Sequence, residues 1–143
     1  MFNFQNDKPQ KRYGRIRRGL HTASIHQASR QNSKSGHQYI KVDFEIINER
    51  KCKDILVPGF FYYDENGKAD PRFLDLGKAA GLTRDYGKDL KSVLRDLIGR
   101  ELCIFVNHRY KNGRRRERAE DFKPVARDSD GEELPNEAGD LPF

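Results

Sequence analysis

Apolar and polar residues alternate most regularly between residues 37 and 47. Every second side chain there is apolar, namely Ile40, Val42, Phe44 and Ile46. A period of two over this length predicts a β-strand with one face in the core. We expect the intervening side chains, which include Tyr39 and Lys41, to face solvent or a ligand.

Weaker alternation predicts a strand on each side of this one. Residues 20–28 predict the earlier strand, and the polar, turn-rich residues 29–36 predict a mobile loop after it. Residues 54–63 predict the later strand, in which Pro58 and Gly59 indicate a bulge or an edge position. This strand ends on four consecutive aromatic residues, Phe60, Phe61, Tyr62 and Tyr63. Alternation puts two of them on each face and leaves open which pair is exposed.

A helical segment is predicted next. Asp70 and Pro71 have the pattern of an N-cap followed by proline at the first helical position, and the helix that they begin is expected to end at Gly81. A second helix is expected to end at Gly99. Its apolar residues lie at helical spacing and include Leu90, Val93, Leu94, Leu97 and Ile98.

The last two predicted strands form a hairpin. Residues 101–110 and 114–122 flank Asn112-Gly113, the strongest hairpin signal in the chain. Five strands with a helical segment between the third and the fourth follow the order of an OB-fold. The predicted fold class is therefore all-β with a helical insert, a five-stranded OB-fold barrel. We expect a basic N-terminal segment over residues 1–18, which is either a flexible arm or a loosely attached first strand. We expect the OB-fold domain over residues 19–125 and a disordered acidic tail over residues 126–143.

Charge is distributed unevenly along the 143 residues. The chain carries 28 Lys and Arg against 22 Asp and Glu, a net charge of +6. Six of the acids and none of the cations lie in residues 128–143, so residues 1–127 carry a net charge of +12. Such a basic body favours nucleic acid or an anionic membrane as partner. The acidic tail is expected to bind proteins, and from charge alone it is also expected to fold back onto the basic groove and compete with DNA.

Binding of a single strand without sequence preference requires cations along a groove and aromatic rings on which bases stack. On an OB-fold the ligand contacts strands 2 and 3 and the loops of the first and last hairpins. The predicted aromatic contacts with single-stranded DNA are Tyr39, Phe60, Tyr62, Phe105 and Tyr110. The predicted cationic contacts are Arg15, Arg17, Arg18, Lys34, Lys41, Arg109, Lys111, Arg114 and Arg116. The competing interpretations are a core position for each phenylalanine and a solvated, charged hairpin edge for residues 114–116.

The sequence contains no recognisable catalytic or metal-binding motif. Asp43 and Glu45 share a predicted strand face, but Ile47 stands where a metal-dependent nuclease would need lysine. The histidines form no HExxH pattern, and no glycine-rich loop has the spacing that cradles phosphate. Cys52 and Cys103 have no ligand partners at metal-site spacing and are interpreted as reduced thiols. We therefore expect a protein that is not an enzyme and that uses no metal and no cofactor.

The chain has no predicted membrane segment. No stretch approaches the ~18 apolar residues of a membrane span. Residues 1–18 lack the apolar core of a signal peptide. A cytoplasmic location is expected.

Two parts of the chain resemble known single-stranded DNA-binding proteins. The sequence Asp140-Leu141-Pro142-Phe143 resembles the acidic C-terminal tip of the bacterial proteins, although its upstream acids are spread out. Residues 34–42, residues 96–102 and Asn112-Gly113 are similar to small phage-encoded single-stranded DNA-binding proteins with an OB-fold.

The resemblance implies a protein that coats and protects single strands in DNA replication, recombination and repair, in the cytoplasm of a phage-infected bacterium. It also implies that residues 140–143 recruit partner proteins. The ring and carboxylate of Phe143 would enter an apolar pocket with a basic rim, and Asp140 would pair with that rim.

Other interpretations are open at this point. An RNA-binding OB domain would have the same pattern, because the sequence does not indicate a preference for the 2′-OH. A basic body that docks on an acidic protein would make the chain an adaptor that binds no nucleic acid. The exposed aromatic residues are also compatible with a homo-oligomer interface.

Overall fold

The computed structural model describes residues 11–64 and 66–125. They form a mostly β structure with two α-helices. The strands are β1 (Arg12–Tyr13), β2 (Gly19–Asn32), β3 (Gln38–Ile46), β4 (Ile55–Tyr62), β5 (Glu101–Lys111) and β6 (Arg114–Lys123). The helices are α1 (Pro71–Ala79) and α2 (Leu90–Leu97), and a short 3-10 helix spans Arg50–Cys52.

The six strands form one sheet in the order β1-β4-β3-β2-β5-β6. β1 is parallel to β4, and the other neighbours are antiparallel. The sheet curls until β4 approaches β6. A Cβ atom on Gly59 of β4 would lie 3.3 Å from the carbonyl oxygen of Ala119 in β6. The ring centroid of Phe122 lies 5.6 Å from that of Phe44 and 5.5 Å from that of Phe61, so apolar contacts fill the inside of this half-barrel.

The alternation in the sequence correctly predicts the core face of the sheet. Ile40, Val42 and Phe44 of β3 are fully buried, and the inward residues of β5 are buried in the same way. The aromatic run at the end of β4 follows the same rule. Phe61 is buried, and Tyr63 packs partly buried against the core. Phe60 and Tyr62 therefore belong to the outer face, which resolves the choice that the sequence leaves open.

Strand β2 is longer than its sequence pattern predicts. The loop predicted over residues 29–36 is wrong for residues 29–32, which continue β2 and pair with residues 38–41 of β3. These residues are polar, and their own pattern does not predict a strand. Backbone hydrogen bonds to β3, which has the clearest alternation in the chain, hold them extended. The turn itself is confined to residues 33–37, where the Ser33 amide donates to the His37 carbonyl at 2.8 Å.

Pro58 and Gly59 do not interrupt strand β4. Pro58 lies opposite Asp43 and Gly59 opposite Val42, without a shift of register. The predicted bulge is therefore wrong, whereas the edge position is confirmed. β1 pairs with β4 only at Ile55 and Leu56, so Pro58 lies where β4 has a paired neighbour on one side only, as proline requires.

The predicted helix boundaries are confirmed. The Asp70 carboxylate accepts a hydrogen bond from the Arg72 amide at 2.9 Å, and Pro71 is the first residue of α1. The Asp89 side chain caps α2 in the same way. Gly81 and Gly99 follow the two helices with φ near +87° and +88°, the left-handed conformation that ends helices. In the described residues no helix is long and apolar enough to cross a membrane.

The N-terminal segment is attached to the sheet over its described part, residues 11–18. Ile16 is fully buried, its amide donates to Glu117 Oε2 at 2.7 Å, and its carbonyl lies 2.8 Å from His108 Nε2. Of the two expectations, the attached first strand describes residues 11–18, which include β1. One buried apolar residue among five cations anchors them, a signal too weak to predict from periodicity. Residues 1–10 lie outside the described residues.

Candidate nucleic-acid interface

Three aromatic side chains lie together on the outer face of strands β3 and β4. Tyr39 lies directly opposite Tyr62, and Phe60 lies opposite Lys41. The ring centroids of Tyr39 and Phe60 are 5.9 Å apart, with their planes tilted by 54°. Tyr62 is 78% exposed, which is unusual for a large ring in a folded protein. We call Tyr39, Phe60 and Tyr62 the aromatic platform.

Arg118 of β6 reaches across the open side of the sheet to this platform. Its guanidinium carbon lies 4.8 Å from the centroid of the Phe60 ring, a cation–π arrangement. Its Nη1 donates to the Glu117 carbonyl at 2.8 Å. Partial burial, assisted by the like charge of Arg116, lowers the pKa of Arg118, but a guanidinium keeps its proton in proteins. The platform therefore has a fixed cation beside it.

Two grooves meet at Phe60 and Arg118, which line both of them. The larger, about 1140 Å³, contains the rings of Tyr39 and Tyr62, and we call it the stacking groove. The smaller, about 450 Å³, extends from Lys41 to the β5–β6 hairpin, and we call it the basic groove. Together they form one path along the outer face of β4.

Cations dominate the basic groove. Its lining includes Arg15, Lys41, Arg114, Arg115, Arg116 and Arg118. The one carboxylate in the lining belongs to Glu117, which is buried and accepts hydrogen bonds from the Ile16 amide at 2.7 Å and from Arg115 Nη2 at 3.0 Å. The Glu117 carboxylate is therefore already paired inside the protein. It does not form ion pairs with the other described cations that line the groove.

Like charges face each other across the β5–β6 hairpin. Arg109 lies directly opposite Arg116, and Lys111 lies directly opposite Arg114. Directly opposed like charges destabilise an antiparallel pair, but Glu120 offsets the charge of Arg109, so the repulsion lies mainly between Lys111 and Arg114. A line of phosphates beside the hairpin would remove this repulsion.

Lys41 is held in its charged form at the junction of the platform and the basic groove. Its Nζ lies 4.8 Å from the centroid of the Tyr13 ring, and the Tyr13 hydroxyl donates to Asp43 at 2.9 Å. The interaction with Tyr13 outweighs partial burial and, with the charge of Asp43, raises the pKa of Lys41. This ammonium is therefore positioned to meet a phosphate.

The stacking groove has a nearly balanced charge. Its cations are Lys68, Arg72, Arg109 and Arg118, and its acids are Asp64, Asp70, Glu120 and Asp121. Arg109 Nε donates to Glu120 Oε2 at 2.6 Å, and Asn107 donates to the other carboxylate oxygen at 3.0 Å. Burial alone would raise the pKa of Glu120, but the hydrogen bonds from Arg109 and Asn107 lower it. The groove therefore offers aromatic rings without a net charge among the described residues that line it.

The Arg109–Glu120 pair provides a test of this charge balance. Replacing Glu120 by glutamine should tighten binding of oligo-dT about fivefold, because an exposed ion pair worth ~0.2–1 kcal/mol no longer occupies Arg109. The slope of log affinity against log salt should become more negative by about 0.7, the contribution of one more neutralised phosphate. Salt titrations followed by fluorescence anisotropy measure both quantities. Glu101→Gln is the control, since Glu101 is exposed but lines neither groove, and equal effects of the two substitutions would contradict the role assigned to Glu120.

The structure places several predicted contact residues away from the two grooves. Phe105 is half-buried on the outer face of β5, with the Arg18 guanidinium 5.5 Å from its ring centroid. Arg17 pairs with Glu49 at 2.9 Å. Tyr110 is 70% exposed but lies opposite Arg115, on the face of the hairpin that does not carry Arg109 and Arg116. Sequence alternation does not show which strands have adjoining outer faces, which explains the position of Phe105.

Two further predicted residues lie near the edges of the grooves. Lys34 is exposed in the β2–β3 turn, whereas its neighbours Ser33 and His37 line the stacking groove. Lys111 is exposed at the tip of the hairpin. The predicted partner-binding residues Asp140, Leu141, Pro142 and Phe143 lie outside the described residues.

Arg118 belongs to the candidate interface but not to the predicted set. Tyr13 lines the basic groove, and Arg118 lines both grooves. The cationic run of β6 could have indicated Arg118. Its contact with Phe60 depends on how β6 approaches β4, for which the sequence has no signal.

No protein-family model matches this chain, and no curated protein matches it. Among the described residues, no three His, Cys, Asp or Glu side chains are grouped as a metal ion would require.

Proposed function

We propose that this protein binds single-stranded DNA with little sequence preference, using the aromatic platform and the two grooves that meet at it. The observation that carries the proposal is the combination of outer-face rings on β3 and β4, of which Tyr62 is 78% exposed, with Arg114 and Arg116 on β6, for which the described residues provide no ion-pair partner. Rings stack on any base, and the cations follow the phosphates. A duplex offers no free base face to the rings, so the aromatic platform favours single strands.

The strand order supports an OB-fold as the scaffold of this function. Without β1, the sheet order is β4-β3-β2-β5-β6, and β6 returns towards β4. The helices lie between β4 and β5, as they do between the third and fourth strands of that barrel. The platform then occupies the second and third strands of the barrel, and Arg114 with Arg116 occupies its last hairpin, which are the positions where such domains bind oligonucleotides.

The biological role that we propose is coating and protection of single strands in replication, recombination and repair. Recruitment of partner proteins through residues 140–143 is part of this proposal. It rests on the resemblance of these residues to the tip of bacterial single-stranded DNA-binding proteins. The phage setting and the cytoplasmic location rest on the same resemblance.

Fluorescence-anisotropy titration of labelled oligo-dT, matching RNA and duplex DNA at several salt concentrations tests the function. We expect oligo-dT to bind more tightly than the duplex. We expect a log–log salt slope of about −3, as four cations (Arg15, Lys41, Arg114 and Arg116) each neutralise one phosphate at ~0.7 per contact. Equal binding of duplex would mean that charge alone acts. Tighter binding of RNA would favour an RNA-binding domain, and no binding would favour an adaptor.

A further inference from the structure

A third groove lies on the helical side of the molecule and shares neither Phe60 nor Arg118 with the interface above. It has a volume of about 380 Å³ and lies between α1, the connection from residue 80 to residue 89, and α2. Its walls are mainly apolar and include Phe73, Leu74, Leu82, Tyr86, Leu90 and Val93. Leu74 is 58% exposed although it lies on a helix beside the core.

The rim of this helical groove is positively charged. Lys78, Arg84 and Lys88 lie around it. Arg84 is held in place by Asp96, 3.7 Å from its Nη1, and by the Tyr86 ring, whose centroid is 4.9 Å away. Among the described residues no carboxylate pairs with Lys78 or Lys88. Two ammonium groups therefore flank the apolar walls without partners in this part of the chain.

Among the described residues, one acid, Asp89, lines the helical groove, against the three cations of its rim. Asp89 accepts hydrogen bonds from the Ser92 amide at 3.1 Å and from the Ser92 hydroxyl at 2.7 Å. Both of its oxygens thus serve to cap α2. The groove therefore presents an apolar floor and a net positive rim to an occupant.

A glycine in the interior of α1 keeps the groove open. Gly77 lines it, has ordinary helical geometry, and a Cβ at this position would meet only Leu82 Cδ1, at 3.8 Å. Glycine inside a helix costs ~0.5–1 kcal/mol relative to alanine. Neither backbone conformation nor packing requires it here, so its effect is to leave space in the groove wall.

We propose that the acidic segment of residues 128–143 of the same chain occupies this helical groove. The segment has six acids, no cation, and the apolar residues Leu134, Leu141 and Phe143, which match the rim and the floor respectively. Val125 ends the described chain, and the nine residues from there to Leu134 span up to ~30 Å, about the diameter of a domain of this size. The proposal does not depend on nucleic-acid binding. The sequence alone predicts that the acidic tail folds back onto the basic groove by charge. The placement proposed here is a different one, in the helical groove, and it combines apolar contacts with charged ones.

Zero-length carbodiimide cross-linking of the full chain tests this assignment. The reagent joins carboxylates to lysine amines in contact, and mass spectrometry identifies the lysines. We expect the acids of residues 128–143 to join Lys78 and Lys88. Cross-links concentrated on Lys34, Lys41 or Lys111 would place the segment at the nucleic-acid interface and overturn the proposal, as would the absence of cross-links from the segment.

A mixture of isotope-labelled and unlabelled chains tells whether the segment and the groove belong to one molecule. Cross-links within one isotopic form are expected. Mixed cross-links at the frequency of random pairing would show that a second copy supplies the segment, which overturns the same-chain assignment.

Substitutions that keep both lysines test the groove itself. Gly77→Leu fills the groove and should reduce cross-linking to Lys78 and Lys88 about tenfold, the equivalent of ~1.4 kcal/mol. Lys91→Leu puts the same side chain on α2 outside the groove and should change nothing. If Gly77→Leu fails to fold, Arg84→Glu reverses a rim charge without adding bulk and should give a similar loss. Unchanged cross-linking in the folded variants would contradict the proposal.

Discussion

Replacing Tyr39 and Tyr62 together by alanine is expected to weaken binding of oligo-dT about 100-fold, because base stacking on an aromatic ring contributes ~1–3 kcal/mol per base. Both rings lie on the outer face of the sheet, and Tyr62 is almost fully exposed. The folded domain should therefore lose little stability. Anisotropy titration measures the affinity, and urea unfolding of the same samples measures the stability.

The salt dependence separates stacking from charge in this experiment. The cations of the basic groove are intact in the double variant, so its log–log salt slope should equal that of the wild type. Tyr110→Ala is the matched control, because Tyr110 is similarly exposed but lies on the other face of the hairpin. An equal loss of affinity in the control would contradict the assignment of the platform.

Replacing Phe61 by alanine is expected to have the largest effect on stability, a loss of ~3–5 kcal/mol in the free energy of unfolding. The Phe61 ring is 1% exposed, and its centroid lies 5.5 Å from both Phe73 and Phe122. It therefore joins α1 and β6 to β4 at the place where the sheet curls. A small domain has a total stability of ~5–15 kcal/mol, so urea unfolding should show a much lower midpoint.

The neighbouring residue gives the control for Phe61. Tyr62→Ala removes an aromatic side chain of similar size from the same strand, but from the outer face. It should cost less than ~1 kcal/mol, as substitutions of exposed residues generally do. Equal destabilisation by the two substitutions would mean that the faces of β4 are assigned wrongly.

Local sequence signals were sufficient to predict most of the strands and helices. Alternation located β3 and β5 with the correct inward residues, and the Asp70-Pro71 pair located the start of α1. Asn112 and Gly113 have φ of 53° and 77°, as the tight hairpin turn of that dipeptide requires. Each of these signals acts within a few residues, which is why the sequence reveals it.

Features that depend on distant residues could not be predicted in the same way. The attachment of Ile16 depends on Glu117 and His108, about a hundred positions away along the chain. The contact between Arg118 and Phe60 depends on the curl of the sheet. The candidate interface was therefore predicted in its β3, β4 and hairpin residues, whereas Arg118 required the tertiary structure.

Photo-cross-linking with oligo-dT that carries 4-thiothymidine tests the central claim most directly. The thiobase reacts with the side chain against which it stacks, and mass spectrometry of the digested complex identifies the peptide. We predict cross-links to Tyr39, Phe60 and Tyr62, lost when excess unlabelled oligo-dT competes. Cross-links concentrated on Phe105 or Tyr110, or none at protein concentrations that bind the oligonucleotide, would contradict stacking on the platform.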